Sequence, residues 1–105
     1  MKSDNLPSIR SYGDYSNYNY GAHCMRVDIP PSRKGKHGIT LYFSYETIVA
    51  FNGVIDGKFG CRVVHKNDWG TTTGKHLNMI DGGAKDKRVD DKEFEKLYKK
   101  ALKNA

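Results

Sequence analysis

The stretch that decides the fold runs from Ile39 to Lys66 and reads ITLYFSYETIVAFNGVIDGKFGCRVVHK. Residues 39–43 alternate apolar and polar side chains, which is the period of a half-buried strand. Residues 47–51 are apolar on both faces, which fits a central strand or a short buried helix, and their β-branched side chains favour the strand. Residues 58–66 again alternate and predict a further strand.

Two dipeptides in this stretch are typical of hairpin turns, Asn52-Gly53 and Asp56-Gly57. Either could turn the chain into the strand at 58–66. Upstream, residues 23–29 alternate in the same way, and Pro30-Pro31 ends that strand because proline cannot donate to the ladder. We therefore expect an antiparallel sheet of about four strands.

The C-terminal residues predict an amphipathic helix. Asp90 is a good N-cap, Glu93 completes a capping box, and Val89 and Phe94 occupy the positions of a hydrophobic staple. The apolar residues that follow share one helical stripe: Phe94, Leu97, Tyr98, Ala101 and Leu102. The sequence thus predicts an α+β fold in which the C-terminal helix packs on the sheet.

Length and composition indicate one domain, because the chain has 105 residues. We assign residues 1–22 to a tyrosine-rich N-terminal arm and residues 23–105 to a single α+β domain. The tyrosines of the arm could bind a partner, stack on bases or cover the core of the domain. No apolar run is long enough to span a membrane and the first residues lack a signal-peptide pattern, so we expect a cytoplasmic protein.

Residues 67–78 hold the only tryptophan, Trp69, and two glycines followed by a lysine. The spacing is one residue short of a phosphate loop, and His76 stands where the magnesium-binding hydroxyl should be. Thr72 or Thr73 could cap a short helix here, whose N-terminus would attract an anion. The alternative is an ordered turn held by a buried Trp69.

The histidines and the two cysteines raise the question of zinc. Cys61 and His65 are four residues apart, which on a strand separates them by about 13 Å, too far for a shared metal. Cys24 and Cys61 could still meet if their strands pair; otherwise they are core thiols. We expect no metal, no cofactor and no catalytic site, because no nucleophile and base are brought together by the sequence.

The net charge of +6 favours an acidic partner, either nucleic acid or an acidic protein face. Two glycine-punctuated loops carry the candidate partner-binding residues, since loops on a rigid sheet are where binding residues concentrate. They are Arg33, Lys34, Lys36, Trp69, Lys75 and His76. We expect them to form one face.

Three stretches, residues 21–23, 41–51 and 67–78, together resemble a family of short uncharacterised proteins of phages and mobile elements. That resemblance implies a counter-defence factor similar in size and class to the anti-CRISPR proteins. The implied function is non-enzymatic inhibition of a nucleic-acid-handling host effector, above all a type II CRISPR Cas nuclease, as a nucleic-acid mimic or competitor. The alternative is a nucleic-acid-binding accessory protein, and the oligomeric state stays open.

Overall fold

The computed structural model describes residues 6–12 and 23–105. Five antiparallel strands follow one another in sheet order: β1 (Ser8–Ser11), β2 (Cys24–Ile29), β3 (Ile39–Ser44), β4 (Thr47–Ile55) and β5 (Lys58–Val64). Then come helix α1 (Thr71–Asp81), a short 3-10 helix (Lys85–Lys87) and helix α2 (Asp91–Asn104). The α+β class is confirmed, with one strand more than expected. Neither α-helix of these residues is long and apolar enough to cross a membrane.

The additional strand, β1, lies in the region that the sequence assigned to an irregular arm. It pairs with β2 so that Ile9 lies opposite Val27. Residues 8–11 read SIRS and contain a single apolar side chain, which is too few to show a period. The tyrosine-rich part of the arm, residues 13–22, lies outside the described residues, and the hypotheses about it stay predictions.

Strand β4 is an inner strand of the sheet, between β3 and β5, and its two faces are covered by different helices. Phe51 is fully buried on one face, in a cluster that includes Phe94 and Ala101 of α2. Ala50 is fully buried on the other face, in a cluster with residues of α1. The strand alternative for residues 47–51 is therefore correct, and the apolar run reflects burial on both sides.

Of the two hairpin dipeptides, only Asp56-Gly57 forms a turn. Both residues have positive φ, 51° and 80°, as the tight β4–β5 hairpin requires. Asn52-Gly53 lies inside β4, so the prediction of a turn there is wrong. A Cβ on Gly53 would lie 2.9 Å from the Cβ of Ala101, which means that glycine is needed for the close packing of α2 on the sheet.

Residues 71–81 form helix α1, so the helix alternative for residues 67–78 is correct and the ordered turn is wrong. Gly70 is its N-cap and no side chain caps it, so a capping role for Thr72 or Thr73 is wrong. Thr73 is instead buried inside the helix, where its hydroxyl lies 2.9 Å from the hydroxyl of Ser44. Trp69 is 43% exposed, so it is not the buried anchor of a turn.

Helix α2 begins as the sequence predicts. The side chain of Asp90 accepts a hydrogen bond of 2.9 Å from the backbone N–H of Glu93. Phe94 is buried against Phe51, with ring centroids 5.3 Å apart. Leu102 stays exposed, so the apolar stripe is narrower than the sequence pattern suggested.

Candidate functional site: the cationic end of the sheet

The loop between β2 and β3, residues 30–38, is fastened to the C-terminus of α2. Four hydrogen bonds make this connection. Ser32 donates to the Ala105 carbonyl from its N–H (3.3 Å) and its Oγ (3.5 Å), His37 N–H donates to the Asn104 carbonyl (2.8 Å), and Lys36 Nζ donates to the Lys103 carbonyl (2.6 Å). They satisfy carbonyls that the end of a helix leaves without partners. The loop is thus held in place, and the Lys36 ammonium lies where the helix dipole is negative.

The β4–β5 turn lies beside this loop. The rings of His37 and Phe59 meet edge to face, with centroids 4.9 Å apart. Lys100 of α2 reaches the turn from the other side, with its Nζ 3.2 Å from the carboxylate of Asp56. The β2–β3 loop, the β4–β5 turn and the end of α2 therefore form one continuous end of the molecule.

We call this surface the cationic end and define it as residues 30–38, 56–60 and 100–105. It carries six lysine and arginine side chains against one acidic side chain, Asp56. The cations are Arg33, Lys34, Lys36, Lys58, Lys100 and Lys103. A field of one sign at one end of a small protein attracts anionic partners and orients their approach.

The nearest further carboxylate, Asp28 on β2, is already neutralised by its neighbours. Arg26 donates two hydrogen bonds to it, at 3.1 and 2.8 Å, and Thr40 donates a third at 2.8 Å. Arg10 lies 3.7 Å from it. The hydrogen bonds from Arg26 hold the pKa of Asp28 below its usual value against the opposing effect of burial, so it stays ionised and paired.

Phe59 protrudes from the cationic end because of a β-bulge. Ile55 pairs with Lys58 and Gly53 pairs with Cys61, so Phe59 and Gly60 together face the single residue Val54. Gly60 has a φ of 66°, which a residue with a Cβ rarely adopts. The Phe59 side chain is 72% exposed, the largest exposure among the large apolar side chains of the described residues.

A shallow groove of about 240 Å³ runs beside Phe59. Its lining includes the polar side chains of His37, Thr40 and Asn52. Asn52 is held by its own hydrogen bonds, donating to Tyr42 Oη at 3.1 Å and accepting from Arg62 at 3.3 Å. The groove thus combines an aromatic wall with fixed polar groups, which is the usual composition of a small binding site.

The structure does not bring the six predicted binding residues together. Arg33 and Lys34 are exposed at the cationic end, whereas His76 lies at the opposite end of β3, with its Nδ1 2.7 Å from Ser44 Oγ. Lys75 precedes His76 on α1, on the sheet face that α2 does not cover. The prediction of one face is therefore wrong, because the two loops leave the sheet at opposite ends.

His76 is also fully buried and does not contribute to an exposed surface. Its neighbours Ser44 and Thr73 are buried with it, so this polar cluster is not open to a substrate. The hydroxyls and the imidazole instead satisfy one another inside the protein, as buried polar groups must.

Trp69 packs on His65, with ring centroids 4.9 Å apart, at the junction of β5 and α1. His65 is buried and fixed at both nitrogens, with Nδ1 2.7 Å from the Lys66 carbonyl and Nε2 3.1 Å from a carboxylate oxygen of Asp91. Trp69 therefore supports the connection into α1, far from the cationic end.

The cysteines do not meet. Cys24 lies on β2 and Cys61 on β5, with β3 and β4 between them. Their strands do not pair, so the alternative in which the two thiols meet and share a metal is wrong. Among residues 6–12 and 23–105 no group of three histidine, cysteine or acidic side chains is arranged to hold a metal ion.

A family model covers residues 9–96, which include β1 from its second residue onward, strands β2 to β5, α1 and the first part of α2. The chain belongs to DUF8033, a family of unknown function. No curated protein and no solved structure matches the chain. The function has to be argued from the site itself.

Proposed function

We propose that this DUF8033 protein is a non-enzymatic binding protein that docks its cationic end on an anionic macromolecular surface. The observation that carries the proposal is the concentration of six cations and one acid on a surface that is fastened to α2. A prearranged charged surface gives up little conformational freedom on binding, and complementary charge raises the rate of association.

The partner that we propose is a nucleic-acid-handling effector, with a type II Cas nuclease as the first to test. The resemblance of the sequence to phage and mobile-element proteins supports that partner. A mimic of nucleic acid would need to be acidic, because these effectors hold nucleic acid in positively charged channels. The positive charge therefore favours the competitor form of the proposal, in which the protein binds an acidic effector surface or the nucleic acid that the effector requires.

The test compares two charge-reversal variants in an assay of guide-directed DNA cleavage. Arg33→Glu/Lys34→Glu changes exposed cations of the cationic end and leaves Lys36, which caps α2, in place. The matched control is Lys96→Glu/Lys99→Glu, on exposed positions of α2 outside the cationic end. Lys100 is excluded from the control because it lies at the cationic end, paired with Asp56.

We expect the loop variant to keep its circular dichroism spectrum and melting temperature and to lose inhibition. The control variant should keep its fold and should still inhibit cleavage. A fully active loop variant beside an inactive helix variant would place the binding surface elsewhere. If the wild-type protein inhibits no Cas nuclease, the named effector is wrong. A pull-down from a host that expresses its defence systems, with the loop variant as the negative control, then tests docking by the cationic end on its own.

A further inference from the structure

Phe59 is the feature of the cationic end that charge attraction alone does not explain. A strand with strict alternation would place it on the same face as Cys61 and Val63, which belong to the cluster under α2. The bulge at Gly60 instead turns the ring out to solvent. Bulges of this kind re-aim a side chain next to functional sites.

The surroundings of the exposed ring are cationic and polar. The His37 ring lies nearly perpendicular to it, Lys58 precedes it in the chain, and the groove beside it is lined by Thr40 and Asn52. Lys36 N–H donates to the Arg33 carbonyl at 3.1 Å, so Arg33 lies within one turn of His37. An exposed aromatic ring at a cationic end of the molecule has the two elements of single-stranded nucleic-acid recognition, namely a stacking surface and cations that can contact phosphates.

We infer that the cationic end binds single-stranded nucleic acid, with one unpaired base stacked on Phe59 and adjacent phosphates on Arg33, Lys34 and Lys58. This inference rests on the proposed function and deepens it, since it names single-stranded nucleic acid as the anionic ligand of the same surface. The base occupies the groove between Phe59 and Asn52. The chemistry of the contact is the same for a free strand and for a strand that an effector holds.

The ring selects a single strand because of the geometry of a duplex. In a duplex the base faces are stacked on one another, and only base edges and the backbone are accessible from the grooves. Phe59 can cover a base face only where the base is unpaired. The cations by themselves would contact duplex and single strand alike, through the phosphates.

The experiment measures binding of fluorescein-labelled oligothymidylate and of a duplex of equal length by fluorescence anisotropy at physiological salt. We expect Phe59→Ala to bind the single strand about 5- to 150-fold more weakly, which corresponds to the loss of one base–aromatic stack. Duplex binding should be unchanged. Phe59→Trp should restore single-strand binding, and Met79→Ala, a truncation of an exposed apolar side chain on α1, should bind as the wild type does.

A second measurement reports the contact directly. In a Trp69→Phe background, Phe59→Trp makes the indole at position 59 the only one in the chain. Its fluorescence should be quenched when oligothymidylate binds and should stay unchanged with the duplex. Quenching by oligothymidylate in the presence and absence of a guide-loaded effector distinguishes a free strand from one that the effector holds.

Three outcomes would overturn the inference. Phe59→Ala could bind the single strand as tightly as the wild type does, the indole at position 59 could show no quenching, or the wild type could bind neither oligonucleotide. The last result, combined with inhibition of an effector that Arg33→Glu/Lys34→Glu abolishes, would leave the proposed function standing and identify an acidic protein surface as the partner. Binding of oligothymidylate without inhibition of any effector would support this inference and contradict the proposed inhibition of an effector.

Discussion

Replacing Gly53 with alanine should push α2 away from the sheet. The added Cβ would lie 2.9 Å from the Cβ of Ala101, 3.7 Å from Cγ1 of Ile39 and 3.8 Å from Cα of Ala101. Only the first distance is too short, because carbon atoms in contact are separated by about 3.5–4.0 Å. The helix or the strand would have to move by about 0.6–1.1 Å at this point to restore that separation.

The magnitude follows from two opposing effects. Extra atoms forced into a close-packed core cost about 1–3 kcal/mol. Alanine also restricts the unfolded chain, which raises the free energy of unfolding by about 0.4–1 kcal/mol. We therefore expect Gly53→Ala to lower the free energy of unfolding by about 1–2 kcal/mol, which in a domain of this size lowers the melting temperature by about 4–8 °C per kcal/mol.

The assay is urea unfolding of a double-mutant cycle with Ala101→Gly. The single change Ala101→Gly should itself be destabilising, because glycine is about 1 kcal/mol worse than alanine inside a helix. In that background the remaining contacts of a Cβ at position 53 are ordinary ones, so Gly53→Ala should become neutral or stabilising. Effects that add within about 0.5 kcal/mol would show that the two positions do not interact and would refute the packing of α2 described above.

Three further expectations can be tested on the same protein. Burial opposes the ionisation of Asp81, but hydrogen bonds from Arg88 and the Gly83 N–H outweigh it and hold the pKa of Asp81 below its ordinary value of 3.8. The stabilising effect of Asp81 is therefore present at neutral pH, and the difference in unfolding free energy between the wild type and Asp81→Asn should shrink as the pH falls below 3.8 and through the lowered pKa. Phe94→Ala should lower the free energy of unfolding by about 2–5 kcal/mol, and Leu97→Ala should lower it less because Leu97 is only half-buried. Equal melting temperatures for both variants and the wild type would contradict the packing of α2. Elemental analysis of purified protein should find no stoichiometric zinc, and one zinc per chain with unfolding in chelator would contradict this.

The elements that the sequence predicts well are those whose burial leaves a regular pattern. Strands β2 to β5 show alternation or continuous apolar runs, and α2 combines a capping box with an apolar stripe. For the region of α1 the sequence left a short helix and an ordered turn as alternatives. The local sequence does not favour the helix, because its threonines and Gly74 are poor helix formers. Its stability comes from tertiary packing of Leu77 and Ile80 on the sheet, which a local pattern does not reveal.

The candidate site was only half predicted, for a topological reason. In an antiparallel meander, successive connections alternate between the two ends of the sheet. The β2–β3 and β4–β5 connections therefore share one end, while the chain leaving β5 toward α1 is at the other. The sequence prediction joined Arg33 with Lys75 by composition, whereas this alternation joins Arg33 with Phe59. Strict alternation over residues 58–66 would place Phe59 on the same face as Cys61 and Val63, and the bulge at Gly60 breaks this alternation without changing the apolar pattern.

The cations at the C-terminus of α2 stabilise the fold, whereas other cations of the cationic end do not. Asp91 and Glu93 lie in its first turn and Lys103 in its last, which complements the helix dipole at both ends, and Lys36 adds to the second. Within residues 6–12 and 23–105, the side chains of Arg33, Lys34 and Lys58 form no ion pair and no hydrogen bond. Like charges gathered at one end repel one another, so these three cations weaken the fold if they do anything to it. Cations that no described side chain neutralises, at the same end of the molecule as the exposed ring of Phe59, are the groups that the proposed anionic partner would neutralise.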